Sequence, residues 1–202
     1  MRNVCKVLFL ALLLSASSPV WAKETVLPDH AEGKATAPIT MVEYSSFTCS
    51  HCADFYNDVM PQIEKNYIET GKVRVIHRDF PNDAYSLKAA ALTRCMPEGQ
   101  YFPFVHLLFK NFRAWIMTPK PEETLKQYAQ MAGLPQEKVK SCLDDTDLLD
   151  AIVAMRNEGA KKYEVTGTPT FILNDGQDVI VGTRPYEEMA AAFDKILADK
   201  KK

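Results

Sequence analysis

The chain has 202 residues, five cysteines, 47% hydrophobic residues and a formal net charge of −2. That length can bury a sizeable core as one domain, or as one domain carrying an insertion. The mildly acidic balance argues against nucleic acid as a partner, because phosphate binding needs an excess of Lys and Arg.

Arg2 and Lys6 flank an uncharged apolar run, Val7 to Ala16, and Val20-Trp21-Ala22 fits a small-residue cleavage site. Residues 1–22 therefore read as a secretory signal peptide cleaved after Ala22; the run is too short to span a bilayer. Cys5 leaves with that peptide. Four cysteines remain, Cys49, Cys52, Cys95 and Cys142, an even number in an oxidising compartment.

Residues 23–37 are polar and irregular, with Thr25-Val26-Leu27 a candidate edge strand and His30 a solvated loop residue. Residues 39–46 form the first core strand. Residues 50–69 form a helix, kinked near Pro61 and stopped at Gly71. Lys72 to Arg78 is the next strand, and the intervening helix predicts a right-handed crossover to a parallel pair. His77 and Arg78 fall at its end, read as satisfied strand-end side chains. Five helices follow: Ser86 to Met96, Tyr101 to Arg113, Pro119 or Pro121 to Ala132, Pro135 to Leu143, and a long one to Tyr163. Asp144, Asp145 and Asp147 offer caps for the last. Five helices in succession inside an α/β pattern read as an inserted subdomain, residues 81–164, with His106 packed inside it. Val165 to Leu173 follows, with Pro169 at the start of an apolar strand, which suggests an edge position or a cis bond. Asn174 to Gln177 turns into Val179-Ile180-Val181, its antiparallel partner. Pro185 opens a final helix, and Lys200 to Lys202 form a charged end.

The chemistry lies at Cys49-Ser50-His51-Cys52, between the first strand and its helix. Two thiols on a first helical turn can bridge or separate with little backbone movement. Cys49 falls at the helix N-terminus, where unpaired N–H groups and the dipole favour a thiolate. His51 can add a cationic or hydrogen-bonding influence. Cys49 is the expected attacking thiol and Cys52 the shielded resolving thiol. Glu43 shares a strand face with Met41 and Ser45, and the pattern leaves open whether that face is buried. Buried, Glu43 would have a raised pKa and could relay the proton of Cys52; exposed, it would be an ordinary surface acid. A zinc site would need a second ligand pair, and Cys95 and Cys142 are widely spaced singles, so no metal is expected. In an oxidising compartment those two are expected to pair as a structural disulfide; a second redox pair that modulates the first is the alternative.

These features together resemble the thioredoxin superfamily, and more closely its DsbA-like thiol:disulfide oxidoreductases of the bacterial periplasm. The residues that carry the resemblance are Glu43, Phe47-Thr48-Cys49-Ser50-His51-Cys52 and Val165-Thr166-Gly167-Thr168-Pro169-Thr170-Phe171. The order of elements matches over residues 39–198. The resemblance implies a thioredoxin-fold domain, residues 23–80 and 165–202, with the helical subdomain inserted. It implies that Pro169 is cis beside the thiols, that the Thr168 backbone binds extended substrate, and that His51 stabilises the reduced thiolate. Ser50 and Thr168 depart from the commonest residues at positions that tune redox potential and partner choice. The implied activity is donation of the Cys49–Cys52 disulfide to reduced secreted proteins, with no dissociable cofactor. The implied redox partner is a DsbB-like membrane protein. Monomer is the expected state. An isomerase or reductase with the same residues is the alternative, and a redox-silent holdase or copper-binding thiol protein is a third reading.

Overall fold

A computed structural model describes residues 26–200. Residues 1–25, which include the expected signal peptide, and the last two lysines lie outside the described residues. Five strands form one mixed sheet in the order β1-β3-β2-β4-β5: β1 His30–Glu32, β2 Ile39–Ser45, β3 Val73–Asp79, β4 Thr170–Leu173 and β5 Asp178–Val181. β2 and β3 are parallel and the other pairs antiparallel.

The connection between β2 and β3 is helix α1, continuous from Ser50 to Ile68. It is α-helical over Ser50–Asp54 and Met60–Ile63 and π-helical over Phe55–Val59 and Glu64–Ile68. Pro61 lacks an N–H to donate, and the helix widens in the turn before it. Gly71, at φ +75°, ends it in the left-handed region.

Between β3 and β4 come α2 Ala84–Arg94, α3 Tyr101–Lys110, α4 Phe112–Ile116, α5 Pro121–Met131, α6 Gln136–Asp144 and α7 Thr146–Tyr163. The described residues therefore hold six helices here, not five. The expected helix Tyr101 to Arg113 breaks at Asn111, whose φ/ψ of −103°/22° leaves the helical region and whose Nδ2 donates to the Leu107 carbonyl at 2.9 Å. The break swings α4 round so that Trp115 is fully buried, its Nε1 donating to the Leu108 carbonyl at 3.0 Å. Helix α8, Tyr186–Asp199, follows the β4–β5 hairpin.

Both faces of the sheet are covered. Ile39, Met41, Val73, Val75, Phe171 and Leu173 share one continuous core with α1, α8 and the helical layer, including Phe104, Leu108 and Leu125. On the other face Val42, Tyr44, Ile76 and Ile172 pack with Phe80 and Val165, and with Ala160 and Tyr163 of α7. Gly159 permits that approach: a Cβ there would lie 2.4 Å from the Tyr44 ring. Helix α7 thus runs from the helical layer onto the sheet, starting at Asp145, whose carboxylate accepts from the Leu148 N–H at 3.0 Å.

Two local expectations change. The edge strand that pairs with β3 is His30–Glu32, and of the expected segment Val26 and Leu27 lie outside any strand. His30 is accordingly half-buried, not solvated, its ring stacked on Tyr101 at 3.6 Å. Strand β4 opens at Thr170, directly after Pro169 as expected, and residues 164–169 form the loop before it.

Candidate active site

The backbone leaves β2 at Ser45 and turns sharply into α1. The Cys49 N–H donates to the Ser46 carbonyl at 3.0 Å, and the Ala53 N–H to the Cys49 carbonyl at 3.1 Å. Ser86, buried on α2, braces this turn: its hydroxyl accepts from the Phe47 N–H at 3.0 Å and lies 2.8 Å from the Ser46 hydroxyl. Two more side chains pin the rim. The Thr183 hydroxyl donates to the His51 carbonyl at 2.6 Å, and Asn82 Nδ2 to the Thr168 hydroxyl at 3.2 Å. None of Ser86, Asn82 and Thr183 belongs to a motif, and their distance along the chain hides their roles in the sequence.

The Thr168–Pro169 peptide bond is cis. It brings the Thr168 carbonyl to 3.2 Å from Cys49 Sγ, and the Cys49 thiol donates to it. Cys49 is partly exposed and Cys52 fully buried; both are free thiols. Their environments drive them apart. Hydrogen bonds from the Cys52 thiol, from Thr168 and from the Cys52 and His51 N–H groups bring the Cys49 pKa down to about 5 against the effect of burial. Burial, together with the neighbouring Cys49, pushes the Cys52 thiol well up. The imidazole of His51 is 73% exposed and lies 3.8 Å from Asp54, so it is the backbone of His51 that reaches the Cys49 sulfur.

Glu43 lies on the buried face, beneath α1, with no exposed surface. Its Oε2 accepts from the Tyr56 hydroxyl at 3.0 Å. Burial raises its pKa to about 8, although the hydrogen bond from Tyr56 opposes the rise. The Ser45 hydroxyl is buried nearby without a hydrogen-bond partner, as is Glu43 Oε1. His77 is the register partner of Glu43 on β3 and is fully buried. Its Nδ1 shares a 2.8 Å hydrogen bond with the Tyr101 hydroxyl, but its Nε2 has no partner, so it is only half satisfied. Burial lowers its pKa to about 4 and keeps the ring neutral. Arg78 points to the other face, paired with Asp29 at 3.0 Å.

Cys95 and Cys142 are joined by a disulfide with Cα atoms 6.4 Å apart, linking the end of α2 to α6. It lies in the helical layer.

A Cys-x-x-Cys pair at the start of a helix, facing a cis proline across a mixed sheet, defines the thioredoxin class. A family model described as Thioredoxin matches residues 25–195. The structure of Wolbachia pipientis alpha-DsbA1 superimposes with a TM-score of 0.78 at 32% identity, covering 86% of this chain and 93% of that one. A Rickettsia felis protein provisionally named a protein-disulfide oxidoreductase is 30% identical over 174 residues, 86% of this chain and 62% of that protein. The chain thus spans less than two thirds of the length of that relative. Disulfide bond formation protein D of Bacillus subtilis is 25% identical, covering 83% of this chain and 77% of that protein. The chain belongs to the thioredoxin family and, within it, to the DsbA-like thiol:disulfide oxidoreductases.

Proposed function

We propose that the protein donates the Cys49–Cys52 disulfide to reduced secreted proteins in the periplasm. The observation that carries this reading is the opposite displacement of two thiols one helical turn apart: Cys49 down to about 5, Cys52 well up. A substrate thiolate attacks Cys49 Sγ of the oxidised pair. The disulfide breaks, and Cys52 leaves and takes up a proton, for which neutral Glu43, buried beneath the same helix, is the proposed source. A second substrate thiolate then attacks the substrate sulfur of the mixed disulfide. Cys49 departs as a stable thiolate, and the substrate leaves with a disulfide. The two electrons and the disulfide exchange places, and no dissociable cofactor is needed. In the mixed disulfide Cys49 has no S–H, so the Thr168 carbonyl is free to accept from an extended substrate backbone.

Stabilising the Cys49 thiolate stabilises the reduced form. The lowered Cys49 pKa therefore adds oxidising power to the pair. This favours donation over reduction. A DsbB-like membrane protein is the redox partner the family likeness suggests, and the protein would act as a monomer. An isomerase or reductase would use the same residues, and the direction rests on the potential.

The redox equilibrium with glutathione tests it, measured in a Cys95→Ser/Cys142→Ser background. DsbA-type oxidants lie near about −120 mV and thioredoxin near about −270 mV. A value toward the former is expected; one near the latter overturns disulfide donation. With oxidised glutathione as the oxidant, Cys52→Ser accumulates unresolved mixed disulfides at Cys49, and Cys49→Ser does not. Retained activity in Cys49→Ser would mean a holdase.

A further inference from the structure

Away from the thiols, three side chains converge that disulfide exchange does not use. Glu32 ends β1, Glu64 lies in the last π turn of α1 and His106 lies in α3. One ligand atom from each falls within 4.8 Å of the others. His106 Nε2 is 3.5 Å from Glu64 Oε1 and 4.0 Å from Glu32 Oε2. It has no exposed surface and no hydrogen-bond partner. Among the described residues, neither carboxylate pairs with Lys or Arg, and the three side chains are only 28–36% exposed.

Such an arrangement is poor as an ion-pair cluster. A protonated imidazole would be expected to close on a carboxylate at about 2.7–2.9 Å, and neither approach is that short. Two half-buried carboxylates this close repel each other unless a cation lies between them. The Tyr56 ring packs edge-on against His106 at 5.3 Å and limits its swing.

We propose that Glu32, Glu64 and His106 form a binding site for a divalent transition-metal ion such as zinc. One imidazole and two carboxylates suit zinc better than calcium, which prefers oxygen alone, or copper(I), which prefers sulfur. Three protein ligands leave a fourth position for water or a small ligand. The ligands come from β1, α1 and α3, so the ion would tie the edge strand to both helices, about three turns along α1 from Cys52. This differs from the expectation of no metal. The sequence offered no cue, because the ligands share no motif and lie 32 and 42 residues apart.

The test is calorimetric titration of the oxidised protein with zinc, the Cys49–Cys52 disulfide keeping the thiols from competing. One equivalent is expected to bind and to raise the unfolding midpoint. His106→Ala and Glu64→Gln should each weaken binding by at least about tenfold. Disulfide exchange should be unchanged in both, since neither residue touches the thiols. Absence of saturable binding overturns the site. So does binding of the same strength in both variants.

Discussion

Glu43 is the residue whose environment most changes its chemistry. Its folded-state pKa of about 8 lies above the roughly 4.3 of an exposed glutamate, so the folded protein holds this proton more tightly than the unfolded chain. The corresponding stability is fully present below about pH 4.3 and is lost as pH rises through 8. Glu43→Gln keeps the shape and removes the ionisation. It should match the parent near pH 4 and exceed it at pH 8 by a few kcal/mol, as urea unfolding across that range would measure. The variant should also lose any inflection near pH 8 in the release of Cys52, followed by stopped-flow exchange with a reduced peptide. Equal stability of the two proteins at both pH values would place Glu43 in contact with water. Cys49 works in the opposite sense. Its lowered pKa stabilises the reduced form above about pH 8.5, an advantage lost as pH falls through 5.

Among the elements, α2 and α6 depend on the Cys95–Cys142 bridge, since α2 also carries Ser86 beneath the active-site turn. The two cysteines are 47 residues apart, and closing a loop of that length stabilises the fold by roughly 2–4 kcal/mol. Cys95→Ala/Cys142→Ala should lower the unfolding free energy by about that amount. The potential of Cys49–Cys52 should stay within the error of the glutathione equilibrium. Unchanged stability with a shifted potential would instead make the bridge a modulator of the active pair. The helix count follows from the same local physics. A single side chain, Asn111, returning to the Leu107 carbonyl, divides what periodicity reads as one apolar helix.

Across the molecule, the sheet, α1 and the helical layer share one core, with Phe47, Tyr56 and Phe109 stacked where they meet. Nothing in such a core lets the helical layer open alone at low cost, so unfolding should be a single transition. Trp115 reports on the helical layer, and it is the sole tryptophan once residues 1–22 are removed. Its fluorescence and the far-ultraviolet circular dichroism should therefore give coincident urea curves. Separated midpoints would mean the inserted helices form an independent unit.

Much of this was legible in the residues. Cys49 and Cys52 one turn apart, the strand before them, the Thr168-Pro169 turn, the Asp145 cap and the hairpin at Asn174 all follow from neighbours within a few positions. Backbone geometry and i, i+3 spacing act there without reference to the rest of the chain. The face Glu43 occupies was not legible, because β2 is buried on both sides and its pattern does not alternate. Nor were the pairing of His30 with β3, the half-satisfied His77, the bracing of the active turn by Ser86, Asn82 and Thr183, or the meeting of Glu32, Glu64 and His106. Each depends on which residues come together across tens of positions. Burial, desolvation and a converging set of ligands arise only when packed layers bring those residues into contact.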